Sequence, residues 1–214
     1  MARIAVIGGT GYAGSHIVAE AAARGHEVVS YSRNAPAAPV AGVAYRHGDA
    51  ADAAAIAEVV ADADVVIGAL APRGELAGRI LEAYQTVAAQ AKTPDDRLIV
   101  IGGFGSLRPA EGAARIVEGD FPEAYKPEAL EMVGVLEWLS GGQSGTDWVF
   151  VSPAAIFGAH TPGERTGAYR TGGTIALPSP AGGPTTISGA DFATAIVDEA
   201  ESARHHREHI SFAS

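Results

Sequence analysis

The stretch Ile4-Ala5-Val6-Ile7-Gly8-Gly9-Thr10-Gly11-Tyr12-Ala13-Gly14 decides the fold of this chain. Its first four residues form an apolar run that is typical of a buried strand. A helical pattern follows from Ser15 to Arg24, and Gly25 then ends it. The stretch therefore predicts a strand, a tight glycine turn and a helix that begins at that turn.

The three glycines of this turn suit three different tasks. Gly8 can adopt a backbone angle that other residues avoid. Gly11 has no Cβ, so a phosphate group can approach the main chain, and Gly14 lets the helix pack closely on the strand. Free amide N–H groups and the positive end of the helix dipole attract anions. This context predicts a dinucleotide site, and a glycine turn without a ligand is the alternative.

These residues resemble the opening of the atypical short-chain dehydrogenase/reductase superfamily. More narrowly, they resemble its small NAD(P)H-binding members of the NADH-flavin reductase and biliverdin/flavin reductase-like type, and the likeness extends over most of the chain. We expect one doubly wound Rossmann domain over residues 1–214, an α/β fold with helices on both faces of a parallel sheet. The expected strand order is 3-2-1-4-5-6-7 with a small C-terminal addition. Loops near 104–126 and 154–184 would lie on the substrate side.

Composition narrows the class of protein further. The chain has 214 residues, 47 % of them hydrophobic, which suits one domain with a large core. A net charge of −10 without a basic cluster argues against nucleic acid and anionic membranes as partners. There is no cysteine, and hence no disulfide or thiolate nucleophile. With no room for a signal peptide and no membrane-length apolar run, we expect a cytoplasmic protein that acts on a small molecule.

The choice of cofactor is predicted from the end of the second strand, which we expect over 27–31. NAD-selective folds of this kind place a carboxylate there, which accepts hydrogen bonds from the ribose hydroxyls. This chain has Ser32-Arg33-Asn34 instead. A guanidinium attracts a 2′-phosphate and can stack on adenine. We therefore expect NADP(H) to be preferred over NAD(H), unless Arg33 is only a solvated surface residue.

The other candidate residues follow the carboxyl ends of the predicted strands, where ligands bind in open α/β sheets. The resemblance places Asp49 beside the adenine amino group, and a turn or capping carboxylate is the alternative. Ser106 is the candidate catalytic hydroxyl, unless it only bonds its own turn. The predicted cofactor-binding residues are Gly8, Thr10, Gly11, Tyr12, Ala13, Gly14, Arg33, Asp49, Ala69, Leu70, Ala71, Gly102, Gly103 and Pro153, and the predicted substrate contacts are Phe104, Tyr125, Phe157 and Tyr169.

Two aromatic residues of the long loop admit two interpretations. Phe157 and Tyr169 can stack on a flat ligand, or they can be hydrophobic plugs that hold the loop in place. The segment before them departs from the family pattern, because Ser152-Pro153 stands where the resemblance implies Arg-Pro.

The last part of the chain carries a cap motif and a group of histidines. Ser188 and Asp191 are spaced as in a capping box, which gives Asp191 a structural task. His205, His206 and His209 surround a helix-to-strand turn without a carboxylate cluster nearby in the sequence, so we expect no metal there.

The proton relay of most short-chain dehydrogenases is missing from the sequence. Those enzymes use a Tyr-x-x-x-Lys pair, whereas Tyr125 is followed four residues later by Ala129, and the only lysines are Lys92 and Lys126. Hydride reduction of a ketone creates an alkoxide that needs a protein acid. A flavin or quinone gives a delocalised anion that can take its proton from water.

The sequence therefore favours an NAD(P)H-dependent reductase of a flat conjugated acceptor of the flavin or quinone class. A dinucleotide-binding regulatory protein that senses NADP(H) is the first alternative, since related atypical proteins also lack the relay. An epimerase or dehydratase acting on a nucleotide sugar is weakened by the missing pair and by the short C-terminal region.

Overall fold

The computed structural model describes residues 1–93, 95–180 and 182–214. One sheet of eight strands lies at its centre, in the order β3-β2-β1-β4-β5-β6-β8-β7. All neighbouring strands are parallel except β7, which pairs antiparallel with β8. The strands are β1 (Arg3–Ile7), β2 (Glu27–Ser32), β3 (Ala44–His47), β4 (Val65–Gly68), β5 (Arg97–Ile101), β6 (Asp147–Ser152), β7 (Arg170–Gly172) and β8 (Glu208–Ala213).

Helices cover both faces of the sheet, because its strands alternate apolar side chains between two buried faces. On one face, Val6 and Ile67 pack with Ile17, Phe192 and Ile196. The opposite face has a second core, which includes side chains from the remaining three helices. The helices are α1 (Tyr12–Ala23), α2 (Ala53–Val60), α3 (Ile80–Ala88), α4 (Lys126–Ser140) and α5 (Gly189–Ser202).

The predicted doubly wound fold is confirmed, and the predicted order 3-2-1-4-5-6-7 matches the sheet when the strand expected over 208–212, which is β8, is counted as the seventh. The short strand β7 was not expected. The sequence also predicts a strand over 185–187, and the structure has only a single bridge between Ile156 and Thr186 there. A helix expected over 75–91 is divided into a 3-10 turn, Gly74–Leu76, and α3, because Gly78 has a φ of +75°.

This topology brings the carboxyl ends of β1, β4, β5 and β6 together along one edge of the sheet. The loops that leave these four ends carry most of the predicted site residues. Within the described ranges, no helix has the length and apolar character that a membrane crossing requires.

Candidate functional site

The glycine turn after β1 has the tight geometry that its sequence predicts. Gly8 has a φ of +90°, and a Cβ there would lie 2.4 Å from the carbonyl oxygen of Ala69. A Cβ on Gly14 would lie 2.2 Å from the carbonyl oxygen of Gly8. At Gly11 the nearest atom to such a Cβ is 3.4 Å away. Two of the glycines are thus required by the packing of the turn itself, whereas a Cβ on Gly11 would make only an ordinary van der Waals contact.

Helix α1 begins at this turn without a cap from the protein. Its N-cap is Gly11, which has no side chain, and its first turn contains no acidic residue. In the part of the chain that the structure describes, the amides of Tyr12, Ala13 and Gly14 find no acceptor. Three free N–H groups at the positive end of a helix dipole fit a diphosphate.

A cleft of about 300 Å³ adjoins this helix end. The turn forms one wall, and the segments that follow β2 and β4 form the others. Predicted residues that line it are Gly8, Thr10, Gly11, Arg33, Ala69, Leu70 and Ala71. Residues of the same lining that the sequence did not identify as cofactor contacts include Tyr31, Ser32, Asn34 and Arg73. A cleft of this size beside a phosphate-binding turn fits an adenosine.

Ser32 connects the end of β2 to the glycine turn. Its hydroxyl donates to the carbonyl of Tyr31 at 2.7 Å and accepts from the amide of Thr10 at 3.1 Å. Asp49 lies exposed beside the cleft, and its carboxylate accepts from the amide of Ala51 at 3.0 Å, as in an Asx turn. Its predicted contact with adenine stays a prediction.

Two arginines line the cleft, and each is paired with a carboxylate. Arg33 Nη1 lies 3.0 Å from Glu75 Oε2. The Nε atom of Arg73 lies 2.9 Å and 2.8 Å from the two carboxylate oxygens of Glu128. All four side chains are at least about one-third exposed, so these pairs can open at little cost when an anionic ligand competes.

Gly102 and Gly103, which are predicted to bind the cofactor, follow the carboxyl end of β5 and differ in their surroundings, since a Cβ on Gly103 would meet no atom within 4 Å. A Cβ on Gly102 would lie 2.0 Å from the ring of Phe150. The carbonyl of Gly103 accepts from the hydroxyl of Ser152 at 2.8 Å and from the amide of Ser106 at 3.2 Å. Pro153 is buried directly after β6.

Ser106, the candidate catalytic residue, is 1 % exposed. Among the described residues its hydroxyl has no hydrogen-bond partner, and its carbonyl accepts from Arg115 at 3.1 Å. A buried hydroxyl without a partner is uncommon in proteins. Its role toward a substrate stays a prediction.

The predicted substrate contacts lie in different surroundings. Phe104 is half-buried in a 3-10 turn, and Tyr125 is 53 % exposed just before α4. Phe157 packs against Tyr12 and Phe192, with ring centroids 5.2 Å and 4.6 Å away. These last contacts are those of a plug that holds the loop.

Tyr169 is held in a similar way. Its hydroxyl donates to Asp198 at 2.6 Å, and its ring meets Phe212 edge-on. The hydroxyl of Tyr12 donates to the carbonyl of Pro162 and accepts from the amide of Gly189, both at 3.1 Å. The aromatic side chains of this region therefore bind the loop after β6 to α1 and α5.

A proton relay of the Tyr–Lys kind would need a lysine ammonium group beside a tyrosine hydroxyl. Lys92 Nζ donates to the carbonyl of Ala61, and Lys126 Nζ lies 3.3 Å from Glu123. Within the ranges that the structure covers, neither ammonium group forms a hydrogen bond with a phenol. Burial raises the pKa above the ordinary value of 10.0 for Tyr12, Tyr31, Tyr84 and Tyr169, the last to about 12.

Two of the three C-terminal histidines are paired with carboxylates. His205 Nδ1 lies 2.7 Å from Glu199, and His206 Nδ1 lies 2.8 Å from Asp147. Arg97 is buried between these two carboxylates and pairs with both. The described residues contain no group of three or more acidic or histidine side chains arranged for a metal.

Comparison with known proteins agrees with this geometry. The model of the NAD(P)H-binding family matches residues 8–203. The uncharacterised protein YwnB of Bacillus subtilis is 34 % identical over 215 residues, which span 99 % of this chain and 98 % of YwnB.

Two solved structures extend the likeness to the fold. One, from Streptococcus pneumoniae TIGR4, is named a "putative NADH-flavin reductase"; it is 31 % identical, with a TM-score of 0.87 and full coverage of both chains. The other, from Bacteroides thetaiotaomicron, is named a "putative epimerase"; it is 30 % identical over 99 % of this chain and 96 % of its own, with a TM-score of 0.86. The glycine turn, the open helix end and these matches lead to one conclusion: the chain belongs to the NAD(P)H-binding family, as its resemblance to atypical short-chain dehydrogenase/reductase proteins implied.

Proposed function

We propose that this protein transfers hydride from NAD(P)H to a flat conjugated acceptor such as free flavin or a quinone. The proposal rests on the uncapped start of α1, where three free amides follow Gly11, a residue that lines a cleft of about 300 Å³. The name of the Streptococcus structure supports a reductase of this kind.

Different residues of the site would bind different parts of the dinucleotide. The amides of residues 12–14 would hold the diphosphate, and the cleft between β2 and β4 would hold the adenosine. Gly102, Gly103 and Pro153, at the ends of β5 and β6, would lie along the nicotinamide half. When bound, the nicotinamide supplies the hydride, and the chain supplies position and orientation.

The proposed class of acceptor is supported by the absence of a Tyr-x-x-x-Lys pair from the sequence and by the surroundings of four tyrosines. A phenol that protonates an alkoxide near pH 7 needs a lowered pKa. In this chain burial moves the pKa of Tyr12, Tyr31, Tyr84 and Tyr169 upward. Acceptors whose reduced anion is delocalised do not need such an acid, which favours flavins and quinones over simple ketones.

Steady-state oxidation of NADPH with FMN, a quinone and biliverdin tests this proposal. We expect turnover above background with at least one of them and none with a simple ketone. Tight binding of NADPH without any turnover would instead favour the NADP(H)-sensing alternative. Absence of binding would contradict both.

The proposed preference for NADP(H) rests on Arg33, which lines the cleft and pairs with Glu75. A 2′-phosphate would replace Glu75 as the anionic partner of Arg33. We therefore expect Arg33→Asp to raise the Kd of NADPH about tenfold while sparing NADH, and Glu75→Gln to lower the Kd of NADPH slightly.

Fluorescence titration of both cofactors measures this preference. Arg79→Asp is the matched control, because Arg79 is also half-exposed and paired, with Glu82, but does not line the cleft. An unchanged ratio of the two affinities in Arg33→Asp would contradict the proposed preference.

A further inference from the structure

Three side chains lie together beneath the end of β5. Phe150 and Ser152 are two residues apart on β6, so their side chains lie on the same face of the sheet. His209 on β8 is in register with Phe150 and shares that face. The imidazole meets the Phe150 ring edge-on, with centroids 5.2 Å apart, and its Nε2 lies 2.9 Å from Ser152 Oγ.

The hydrogen bonds of this group have one consistent direction. The carbonyl of Gly103 can only accept, so the single proton of the Ser152 hydroxyl is donated to it, over 2.8 Å. The lone pair of Ser152 Oγ then accepts from His209, which must carry its proton on Nε2. Burial, assisted by the nearby charge of Arg115, lowers the pKa of His209 to about 4. The imidazole is therefore neutral near pH 7, with its proton on Nε2.

The carbonyl of Gly103 fixes the orientation of the next amide. A trans peptide is planar, and its N–H points opposite to its C=O. Because the carbonyl is directed at Ser152 and the amide of Ser106, the N–H of Phe104 points away from this buried group. Phe104 is the first residue of a 3-10 turn, and its N–H finds no acceptor in the part of the chain that the structure describes.

We propose that Ser152 and His209 are positioning residues that hold the Gly103–Phe104 peptide so that its N–H can donate to the nicotinamide half of the dinucleotide. The inference rests on the proposed function, because it requires that NAD(P)H binds at this edge of the sheet. Ser152 stands where the resemblance implies an arginine, so the chain uses a short hydroxyl and a histidine from a distant strand in that place.

Ligands that carry only half of the cofactor test this role. His209→Phe removes the Nε2 donor and keeps a ring, whereas His209→Gln keeps an N–H at a similar distance from the main chain. We expect His209→Phe to raise the Kd of NADPH at least tenfold and to leave the Kd values of 2′,5′-ADP and ADP within threefold. His209→Gln should bind NADPH nearly as the wild type does. Calorimetric titration measures every value without turnover.

Ser152→Ala removes the same connection from the other side with little change of volume, and it should give the pattern of His209→Phe. Equal weakening of NADPH and of both half-ligands would overturn the inference, since a general loss of structure acts on both halves. Unchanged binding of NADPH in both variants would overturn it as well. If the wild type binds neither NADPH nor the half-ligands, the proposed function itself fails, and the inference fails with it.

Discussion

Helices α1 and α5 pack against each other, and their first turns have the same chemical need but meet it differently. At α1 the N-cap is Gly11, and the part of the chain described by the structure provides no side-chain cap. At α5 the N-cap is Ser188, whose hydroxyl accepts from the amide of Asp191 at 3.0 Å. The first amides of any helix have no acceptor within the helix, and they lie at the positive end of its dipole.

The two helices also differ in charge, because Asp191 places a negative charge inside the first turn of α5, whereas the first turn of α1 has no acidic residue. Its carboxylate is 1 % exposed and accepts from the amides of Thr166 and Gly167 and from the hydroxyls of Thr166 and Ser188. Burial alone would raise its pKa, but these hydrogen bonds outweigh the burial and hold the pKa below the ordinary 3.8.

An anion that is built into the chain stabilises the fold at all times, whereas an open helix end becomes fully satisfied only when an external anion arrives. The comparison therefore assigns stability to the start of α5 and ligand binding to the start of α1. Substitutions that remove the anion from α5 or add one to α1 can separate the effect on stability from the effect on ligand binding.

Removal of the built-in anion should have the largest effect. We expect Asp191→Ala to lower the free energy of unfolding by about 3 kcal/mol, because four donors lose a charged acceptor and one of them, the hydroxyl of Ser188, is buried. The loop at 164–168 should loosen with it, since Thr166 and Gly167 donate to this carboxylate. Urea unfolding followed by circular dichroism measures the loss.

Asp191→Asn is the control, because it keeps the shape and removes the charge. The folded-state pKa is depressed, so the contribution of the charge is present above pH 3.8 and is lost as pH falls through the lower folded value. The stability difference between wild type and Asp191→Asn should therefore shrink below about pH 4. A difference that stays constant down to pH 2 would contradict this account of the carboxylate.

Conversion of the α1 start into one of the α5 kind should have the next largest effect. Gly11 has φ −71° and ψ 173°, which any residue can adopt, and a Cβ there meets nothing closer than 3.4 Å. We expect Gly11→Asp to cap α1 and to stabilise the free protein by a few tenths of a kcal/mol. The Kd of NADPH should rise about 100-fold, or about 2.7 kcal/mol, because the carboxylate takes the place of the diphosphate and repels it.

Gly11→Ser separates charge from volume, since it also caps the helix but brings no charge. It should weaken NADPH binding less than Gly11→Asp does. Fluorescence titration and thermal unfolding of both variants provide the measurement. If Gly11→Asp bound NADPH as well as the wild type, the diphosphate would not lie at this turn, and the interpretation of the open helix end would be wrong.

The sequence predicted those parts of the fold whose signals are local. The glycine turn, the apolar strands and the cap at Ser188 each depend on neighbours within a few residues. β7 could not be found in this way, because Arg170–Gly172 has no strand pattern of its own and is extended only because it pairs with β8. Gly78, by contrast, was a local signal that the helical pattern of 75–91 obscured.

In the candidate site, too, the residues with a local sequence signal were predictable, and the contacts between distant residues were not. The pattern after β1 and the arginine after β2 were visible because each directly follows a strand. The contact between Ser152 and His209 joins residues 57 apart in the chain, and Arg33 meets Glu75 across 42 positions. These pairs exist only because parallel strands bring distant segments to one edge, which a single sequence does not reveal.

The starts of α1 and α5 touch each other at Gly189. A substitution there tests whether the two ends have independent roles, and it has the smallest expected effect. A Cβ on Gly189, the first residue of α5, would lie 2.3 Å from the His16 ring and 2.9 Å from the hydroxyl of Tyr12. We expect Gly189→Ala to displace these side chains and to lower the free energy of unfolding by about 1–2 kcal/mol. Gly134→Ala is the matched control: it lies within α4 with no atom within 4 Å, and the same change should stabilise the protein by about 0.5–1 kcal/mol.

If the start of α5 serves stability alone, Gly189→Ala should leave the dinucleotide site at the start of α1 intact. The Tyr12 hydroxyl should lose its bonds to Gly189 and Pro162, while its backbone amide stays in the first turn of α1. The Kd of NADPH in Gly189→Ala should therefore stay within threefold of the wild type, measured by the same titration. A larger rise would mean that the start of α5 also shapes the dinucleotide site, because the amides of α1 would then depend on the side-chain contacts of Tyr12.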